Sequence, residues 1–448
     1  MSEKTINNQL IEKINLLIEE KKVSDLNNII KTLHNADIAE IIKQINLEKA
    51  KYLYKLIKDE KAALVIVELE DNIREQLLSN YSAKEIAVDV IENLESDDAA
   101  DLISEFSKEK KEEVLSHIEN IDYANNISDL LSYSEDTAGG LMAKELIKVN
   151  ENWNTLLCLK EMRKQAESIK KVHTIYVVND EDQLLGLLSL RKLLLSQNNE
   201  PIKNIIKKDI VAVNVFENNE QVASIMRKYD LIVLPVVNDN NELVGRITID
   251  DVMDVVKEEA EKDYQMASGI IEDIEINDNI WTVTKARLPW LLIGMIGGLI
   301  GAELIGFFNL KENIELALFI PLIAAMGGNV GVQSAAIVVQ GIANNSLKTN
   351  NIINRLFKEL ITGVVNGFIC SLLIFIPILL LGYHIKLCII VSISLLAVIV
   401  FAALFGTFIP ITLKKYNIDP ALATGPFITT INDILGLFIY FLIGKAIF

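Results

Sequence analysis

The spacing of apolar residues changes along this 448-residue chain, and each pattern predicts a different kind of element. Over residues 1–130 apolar positions recur every three or four residues without strand-like alternation, which predicts helices. DIAEIIKQINLEKAKYLYKLI, from Asp37, is similar to DAADLISEFSKEKKEEVLSHI, from Asp98. Such internal similarity indicates stacked helical hairpins. We therefore expect residues 1–135 to form an all-α superhelical N-domain.

Apolar runs typical of strands occur twice in the middle of the chain. HTIYVVNDEDQLLGLLSLRKLLL begins at His173, and LIVLPVVNDNNELVGRITIDDVMDV begins at Leu231. Both predict strand, acidic turn, strand and helix, and aligning Gly186 with Gly245 gives a spacing of 59 residues. Two copies at this period indicate a pair of packed α/β modules, at residues 136–202 and 203–250.

These repeats resemble a tandem pair of cystathionine-β-synthase (CBS) modules over about Lys148–Lys262. Such pairs often bind adenosine nucleotides, so the resemblance implies ATP as a possible regulatory ligand. Thr248 and Asp251 stand at positions that often contact the nucleotide. The first copy has Ser189 and Lys192 there and lacks the acid, so we expect one nucleotide site.

Five long apolar segments occupy the last part of the chain, and each is long enough to cross a bilayer. They cover roughly Leu288–Phe308, Leu316–Ala343, Leu360–Leu381, Leu387–Leu413 and Ala421–Phe448. The sequence therefore predicts a five-helix transmembrane domain at residues 281–448. The start of the chain lacks signal-peptide features, and basic residues favour the same side as the N-terminus. We expect a multi-pass cell-membrane protein with cytoplasmic N-terminal domains and an outside C-terminus.

Charge divides the chain at the same place. Residues 1–280 carry 55 acids and 33 bases, a net charge of −22, whereas the rest has a net charge of +4. An acidic soluble part argues against nucleic acid as a partner. It suits cations, although a solvated, self-repelling surface is the plainer alternative. Three cysteines lie at spacings that indicate neither a metal site nor a disulfide framework.

The fifth apolar segment places Asp433 at membrane depth, where an ionised carboxylate is costly. No Lys or Arg lies within the predicted spans except at an end, so protonation, a water-filled pore or a bound cation remain. Thr429, Thr430 and carbonyls freed by Pro426 add oxygens that suit hydrated Mg²⁺. In the second segment, Asn329 either lines a path or bonds to another helix.

Two other acidic groups precede the membrane segments. Asp97 and Asp101 lie four residues apart, where like charges on a helix repel each other. Residues 251–280 are expected to form an acidic connecting helix, and this helix is either solvated or held by cations. Its acids are Asp251, Asp254, Glu258, Glu259, Glu261 and Asp263.

In full, the chain resembles the MgtE family of magnesium channels. The resemblance rests on YSEDTAGGLM, GGNVGVQS, DPALATGPFITTINDILGL and the order of the domains. It implies a homodimer in the lipid bilayer that takes up Mg²⁺ through a pore between subunits. It also implies that Mg²⁺ bound to cytoplasmic acids closes this pore.

The resemblance assigns site residues one by one. Asp433 is the pore carboxylate, Thr429 offers a backbone carbonyl, and Asn329 lines the pore near the inner gate. The regulatory Mg²⁺ ligands it implies are Asp97, Asp101, the carbonyl of Gly140, Glu220, Asp230, Asp251, Asp254, Glu259 and Asp263.

Two other functions stay open from the sequence. One is a proton- or sodium-coupled carrier of divalent cations that uses Asp433. The other is a non-conducting membrane receptor whose CBS pair senses nucleotides. An enzyme is the weakest reading, because no nucleophile–base set, phosphate loop or His/Cys cluster is evident.

Overall fold

The computed structural model describes residues 8–58, 60–167, 169–197, 199–271, 274, 278–308, 314–343, 352–423 and 425–447. The chain forms two compact units, Met1–Lys257 and Glu258–Phe448. The first unit contains the helical region and the two α/β modules. The second contains the end of a connecting helix and the apolar helices.

Short amphipathic helices build the first part of the first unit. Asn46, Ser107 and Asn120 each accept a hydrogen bond from a backbone N–H in the first turn of the helix that follows. A π-helical turn at Ile86–Val90 and a 3₁₀ turn at Ile91–Asn93 precede the eighth helix. The helices are α1 (Asn8–Glu19), α2 (Val23–Thr32), α3 (Asn35–Gln44), α4 (Leu47–Leu56), α5 (Glu60–Val67), α6 (Asp71–Leu78), α7 (Ala83–Glu85), α8 (Ser96–Ser104), α9 (Lys108–Ser116), α10 (Ile121–Leu130) and α11 (Ala138–Leu141).

Each α/β module contains a three-stranded sheet, in which the first two strands are parallel and the last two antiparallel. The first module contains β1 (Ile147–Asn150), α12 (Thr155–Gln165), β2 (Ile175–Val178), β3 (Leu184–Leu188), α13 (Leu190–Leu195) and α14 (Ile202–Ile205). The second contains β4 (Val213–Asn214), α15 (Asn219–Tyr229), β5 (Val233–Val237), β6 (Leu243–Thr248) and α16 (Ile249–Ala267).

The two modules meet at their equivalent turns. The Leu184 amide donates to the Asn241 carbonyl at 3.0 Å, and the Leu243 amide donates to the Asp182 carbonyl at 2.9 Å. Buried side chains of the helical region also share one apolar core with the second module, including Leu102, Met142 and Met226. The helical domain is therefore packed onto the second module rather than tethered to it.

Five helices of the second unit's described residues are long and apolar enough to cross a membrane. They are α17 (Ile280–Phe307), α18 (Ile320–Ala343), α19 (Ile352–Leu380), α20 (Ile385–Lys415) and α21 (Gly425–Ile447), and a 3₁₀ turn at Ile314–Phe319 precedes α18. The predicted fold class, a helical domain, an α/β pair, a connecting helix and five apolar helices, is confirmed.

The start of α19 differs from the prediction. The helix begins at Ile352 rather than near Leu360, so Arg355, Lys358 and Glu359 belong to it. Arg355 Nη2 lies 3.9 Å from Glu359 Oε2 one turn later, and Arg and Lys are good helix formers. The helices thus extend beyond the predicted spans and include basic residues near their ends, which the prediction had left outside, in α19 as well as in α17 and α20.

Glycines allow three apolar helices to cross closely. A Cβ placed on Gly406 of α20 would collide with the carbonyl oxygen of Gly331 of α18. A Cβ on Gly331 would collide with the amide nitrogen of Asn432 on α21, whose side chain is buried. Side chains larger than hydrogen at these positions would push the helices apart.

We expect Gly406→Ala to lower the thermal unfolding temperature of the detergent-solubilised protein. Overpacking at a tight contact costs about 1–3 kcal/mol, and the neighbouring atoms here are backbone, which yields little. Gly294→Ala is the matched control, because a Cβ there has nothing within 4 Å in the chain. Equal unfolding temperatures for both variants would contradict this description of the crossing.

Candidate functional site

Acidic side chains from three parts of the first unit converge at the first turn of α8. One carboxylate oxygen from each of Glu95, Asp97 and Glu145 lies within 4.8 Å of the others. Asp251, in the first turn of α16, is close enough to interact electrostatically with Asp97. The surface where α8, the segment before β1 and the start of α16 meet therefore carries a concentrated negative charge.

Hydrogen bonds hold these acids in place. The Ser96 hydroxyl donates to Glu145 Oε2 at 2.8 Å and accepts from the Lys144 amide at 2.9 Å. Asp97 Oδ1 accepts from the Asp98 amide at 2.9 Å. Carboxylates at a helix N-terminus are favoured by its dipole, which partly offsets their mutual repulsion.

The side chain of Asp251 is bound by the residue before α16. The Thr248 amide and hydroxyl both donate to Asp251 Oδ2, at 3.0 and 2.5 Å. Thr248 is buried. The two residues predicted to contact a nucleotide thus bond to each other, and Asp251 also belongs to the acidic cluster.

The surroundings of the cluster raise the pKa of several carboxyls. Burial raises the pKa of Asp97 well above its usual range, and the charges of Asp251 and Asp98 add to this. Burial and then the charge of Asp251 raise the pKa of Asp98 to about 6. Burial by protein atoms, followed by the charges of Asp98 and Glu135, raises the pKa of Asp101 to about 7. Its side chain still contacts solvent, which weakens these interactions. Such groups favour a proton or a cation.

Two other predicted cytoplasmic ligands, Glu220 and Asp230, lie apart from each other. Glu220 and Asp230 lie exposed at opposite ends of α15, about 15 Å apart along the helix. Asp230 adopts a left-handed conformation that ends α15, with φ at 53°. The Gly140 amide donates to the Thr137 carbonyl at 2.9 Å, and a Cβ there would approach the Ser134 carbonyl to 2.6 Å.

The remaining predicted acids lie along α16. Asp254 is exposed, and Glu259 lies 3.6 Å from the Lys262 amine. Burial, followed by the charges of Asp419 and Glu259, raises the pKa of Asp263. Asp263 and Asp419 thus place two acids near each other at the point where α16 approaches the apolar helices.

Within the second unit, α16 ends against the beginning of α21. Gly269 and Gly425 both have positive φ, at 84° and 49°. A Cβ on Gly269 would lie 2.5 Å from Pro426 Cγ, and one on Gly425 would collide with the Ala267 carbonyl. Glycine is thus required on both sides of this contact. Of the predicted connecting helix, residues 251–280, the structure forms residues 251–267 as part of α16, whereas residues 272–273 and 275–277 lie outside the described residues.

The predicted membrane residues lie on adjoining helices. The position of a Cβ on Gly328 is 3.4 Å from Thr429 Cγ2 and 3.7 Å from Asp433 Oδ1. The Thr429 hydroxyl donates to the carbonyls of Gly425 and Pro426, each at 3.1 Å. Asn329, next to Gly328, is exposed on α18, whereas Asp433 is half-buried. The structure therefore brings Asp433 and Thr429 beside the glycine-rich stretch of α18.

The sequence reasoning missed several charged residues. Glu95, Glu145 and Arg246 all belong to the acidic cluster, and Arg246 Nη2 lies 2.7 Å from Glu95 Oε2. Glu95 lies two residues before Asp97, which the sequence analysis had singled out. No local pattern, however, pairs Glu95 with Glu145 or Arg246, which follow it by 50 and 151 positions. Glu359, buried on α19, accepts a 2.7 Å hydrogen bond from Ser334 on α18.

We expect the first unit to lose stability between pH 4 and pH 7 when divalent cations are absent. The folded protein holds a proton on Asp98 at pH values where the unfolded chain has released it, so stability falls as the pH rises through this range. The wild type should lose on the order of 3 kcal/mol more than Asp98→Asn does. Urea unfolding with EDTA, followed by Trp153 fluorescence in a Trp281→Phe, Trp290→Phe background, measures this difference.

Glu109→Gln, which changes an exposed acid on α9, is the control and should keep the wild-type pH profile. The same pH slope in the wild type and Asp98→Asn would contradict the raised pKa.

Known protein families match all three regions of the chain. The model of the MgtE intracellular N domain matches residues 33–136, and the CBS domain model matches residues 138–198 and 202–258. The MgtE model, described as a divalent cation transporter, matches residues 320–443, which include Asn329, Thr429 and Asp433.

Individual proteins are similar over most of this length. The chain is 33% identical to the magnesium transporter MgtE of Bacillus subtilis over 384 residues, 85% of each chain. It is also 33% identical to the magnesium transporter MgtE of Enterococcus faecalis over 72% of this chain and 71% of that protein. The crystal structure of the cytosolic domain of the Mg²⁺ channel MgtE in complex with ATP covers 55% of this chain and 99% of its own, with a TM-score of 0.51 and 28% identity.

The similarity thus extends across helical region, CBS pair and apolar helices in the same order. With 33% identity over 85% of both chains, this protein belongs to the MgtE family of magnesium transporters.

Proposed function

We propose that this chain forms a homodimeric Mg²⁺ channel that mediates uptake and is closed by Mg²⁺ bound to its cytoplasmic acids. The observation that carries the proposal is the position of Asp433, a half-buried carboxylate on α21 beside Thr429 and Gly328. The start of the same helix contacts the end of the acidic helix α16. One helix thus joins a candidate ion path to a candidate gate.

Asp433 suits a hydrated cation better than a bare one. Mg²⁺ dehydrates reluctantly and commonly keeps several waters while it meets one or two carboxylates. Gly328 leaves room beside Asp433 because any side chain there would contact Thr429. The carboxylate and the backbone carbonyl of Thr429 would then accept hydrogen bonds from the ion's water shell.

The exposed polar residues of α18 are an argument for a second subunit. Asn329 and Gln333 are exposed one turn apart on this mostly apolar helix. Amides that face lipid lack hydrogen-bond partners, which is costly. A second copy that faces α18 and α21 would give these amides a polar, water-filled environment and would supply a second Asp433.

Mg²⁺ closes the channel by neutralising acids that otherwise repel one another. With Mg²⁺ bound, the carboxylates of the α8 surface and of α16 stay close, and α16 stays against α21. Without Mg²⁺, like charges repel, and α16 leaves its position. Mg²⁺ can shift this equilibrium only if the closed state binds it more tightly. The ligands we propose are Asp97, Asp101, Gly140, Glu220, Asp230, Asp251, Asp254, Glu259 and Asp263.

ATP is a proposed regulatory ligand of the CBS pair. The support is the ATP complex of the related cytosolic domain, together with Thr248 and Asp251 at the start of α16. Because Asp251 also belongs to the acidic cluster, nucleotide and Mg²⁺ binding would be coupled through this residue. The cytoplasmic side holds the N-terminal domains in this proposal, and the C-terminus lies outside.

A proton- or sodium-coupled carrier is the second candidate, and the acid at membrane depth is the feature that favours it. It requires flux that follows a proton or sodium gradient. A channel requires flux that follows only voltage and the Mg²⁺ gradient. A non-conducting receptor predicts no flux, and membership of a transporter family disfavours it.

We expect Asp433→Asn to reduce Mg²⁺ flux into proteoliposomes at least tenfold, because the amide cannot offset the ion's charge. Flux is measured with a Mg²⁺-sensitive dye, with voltage set by potassium and valinomycin and without a proton or sodium gradient. Glu315→Gln, which changes an exposed acid in the turn before α18, is the control and should conduct like the wild type. Wild-type flux in Asp433→Asn would move the ion path away from α21.

We expect neutralisation of four cytoplasmic acids, Asp97→Asn, Asp101→Asn, Asp254→Asn and Glu259→Gln together, to abolish inhibition by millimolar Mg²⁺ on the cytoplasmic side. The sites would lose the charge that attracts the ion and the repulsion that the ion relieves. Flux is recorded in proteoliposomes against cytoplasmic-side Mg²⁺ concentration.

A control changes the same number of exposed acids on helical faces outside the cluster, Glu48, Glu109, Glu112 and Glu113, to Gln. This variant should keep wild-type inhibition. If Mg²⁺ still inhibits the variant with four neutralised cytoplasmic acids, then Mg²⁺ bound to these acids does not close the channel. The assignment of the pore to α21 would be unaffected.

A further inference from the structure

A carboxylate lies on the buried stripe of α19, among residues that are otherwise small. From Ile352 to Ser371 the buried residues of this helix are Glu359, Gly363, Gly367 and Ser371, each four positions after the one before. Residues four apart lie on one face of a helix, so these four form one line of contact. Close packing explains the small residues. It does not explain the acid, because a buried carboxylate is costly unless it has a partner.

The small residues of this stripe pack against α20. A Cβ on Gly363 would lie 3.3 Å from the Cα of Val400. Two turns later on α19, the Ser371 hydroxyl donates to the Ser392 carbonyl at 2.6 Å. Eight positions forward on α19 thus match eight positions back on α20. These contacts belong to one antiparallel pair of helices, and they do not involve α18.

Glu359 instead reaches α18. Its Oε1 accepts a 2.7 Å hydrogen bond from the Ser334 hydroxyl, and both residues are buried. Arg355, one turn earlier on α19, lies 3.9 Å from the other carboxylate oxygen, Oε2. A hydrogen bond is directional, and it is electrostatically stronger away from water. This contact therefore fixes one side of α18 relative to α19.

The buried face of α18 around Ser334 is otherwise smooth. From Gly327 to Ala335, the buried residues other than Ser334 are three glycines and one alanine. Small residues let helices approach closely. However, the ridges that side chains form are what sets the packing of one helix against another, and small residues give shallow ridges. The hydrogen bond of Ser334 thus supplies a directional contact that resists rotation of this part of α18.

Rotation of α18 matters because its exposed face carries three amides. Asn329, Gln333 and Gln340 are all exposed, and helix geometry places them within about 40° of one another around the axis. Val338, which is fully buried, lies about 200° from Gln340 on the other side of the helix. A rotation of α18 would therefore turn the three amides away together and bring buried positions outward.

We propose that Glu359 is a positioning residue, which sets the rotation of α18 through Ser334 and so directs Asn329, Gln333 and Gln340 into the ion path. The last step rests on the ion path proposed above beside α18 and α21. Glu359 itself does not touch the ion. The amide oxygen of glutamine can accept the same hydrogen bond, whereas leucine, of similar size, offers no acceptor.

Cysteine labelling of the full-length protein in detergent measures this rotation. Gln340→Cys places a thiol on the amide face and Val338→Cys places one on the buried face, and a charged thiol reagent reacts only where water reaches. We expect Gln340→Cys to react at least about tenfold faster than Val338→Cys. Glu359→Leu should reduce this ratio at least about fivefold, because a hydrogen bond to a charged group is lost, and Glu359→Gln should keep it. The parent chain gives the background from its own buried or half-buried cysteines, Cys158, Cys370 and Cys388.

Ser371→Ala is the matched control, because it removes a hydrogen bond from the same stripe of α19 that leads to α20 instead of α18. It should keep the wild-type labelling ratio and the wild-type Mg²⁺ flux into proteoliposomes. Ser334→Ala should reproduce the effect of Glu359→Leu from the other helix. Both of these variants should lower the flux at least about fivefold, and Glu359→Gln should restore it.

An unchanged labelling ratio in Glu359→Leu and Ser334→Ala would overturn the proposal. An equal change in Ser371→Ala would also overturn it, because the effect would then be a general loss of packing. If Glu359→Leu does not fold, Ser334→Ala decides. A changed ratio with wild-type flux would overturn the link to the ion path. If Asp433→Asn conducts like the wild type, the proposed pore fails, whereas the labelling ratio still decides the role of Glu359.

Discussion

Uncompensated carboxylates are the constraint on which this structure depends. Burial makes a charged carboxylate costly, and neighbouring acids make it costlier, so each such group favours a proton, a basic side chain or a metal ion. The protein has acids of this kind in the acidic cluster of the first unit, at the end of α16 and on α21. Basic side chains neutralise some of them, as Arg246 does through its ion pair with Glu95. In the proposed function, the rest would make the fold sensitive to cations.

The tightest contacts of the second unit link this chemistry to the membrane helices. Glycine at Gly328 leaves space beside Asp433, and glycines at Gly269 and Gly425 let the end of α16 touch the start of α21. Small residues at helix contacts are common in membranes, because van der Waals packing rather than the hydrophobic effect drives association there. Here the same contacts would transmit a shift of α16 to the helix that bears the candidate pore carboxylate. In this account the gate and the ion path share α21.

The sequence predicted the fold well because its signals are local. Periodic spacing identified the helices, the repeat around Gly186 and Gly245 identified the paired modules, and length identified the apolar helices. It failed where distant residues meet. Nothing local pairs Glu95 with Arg246, and the Arg355–Glu359 turn extended α19 beyond its apolar stretch. Likewise, the sequence alone did not show that Glu220 and Asp230 lie at opposite ends of α15.

The central claim is that cations neutralise carboxylates at two places in one chain, in the proposed pore and in the acidic cluster of the first unit. The most direct measurement is the Mg²⁺ current of the wild-type protein in a planar bilayer, with symmetric proton and sodium concentrations, while Mg²⁺ on the cytoplasmic side is raised. The account predicts a current that reverses at the Mg²⁺ equilibrium potential and that closes steeply at millimolar cytoplasmic Mg²⁺. A flux that requires a proton or sodium gradient, or a current indifferent to cytoplasmic Mg²⁺, would contradict it.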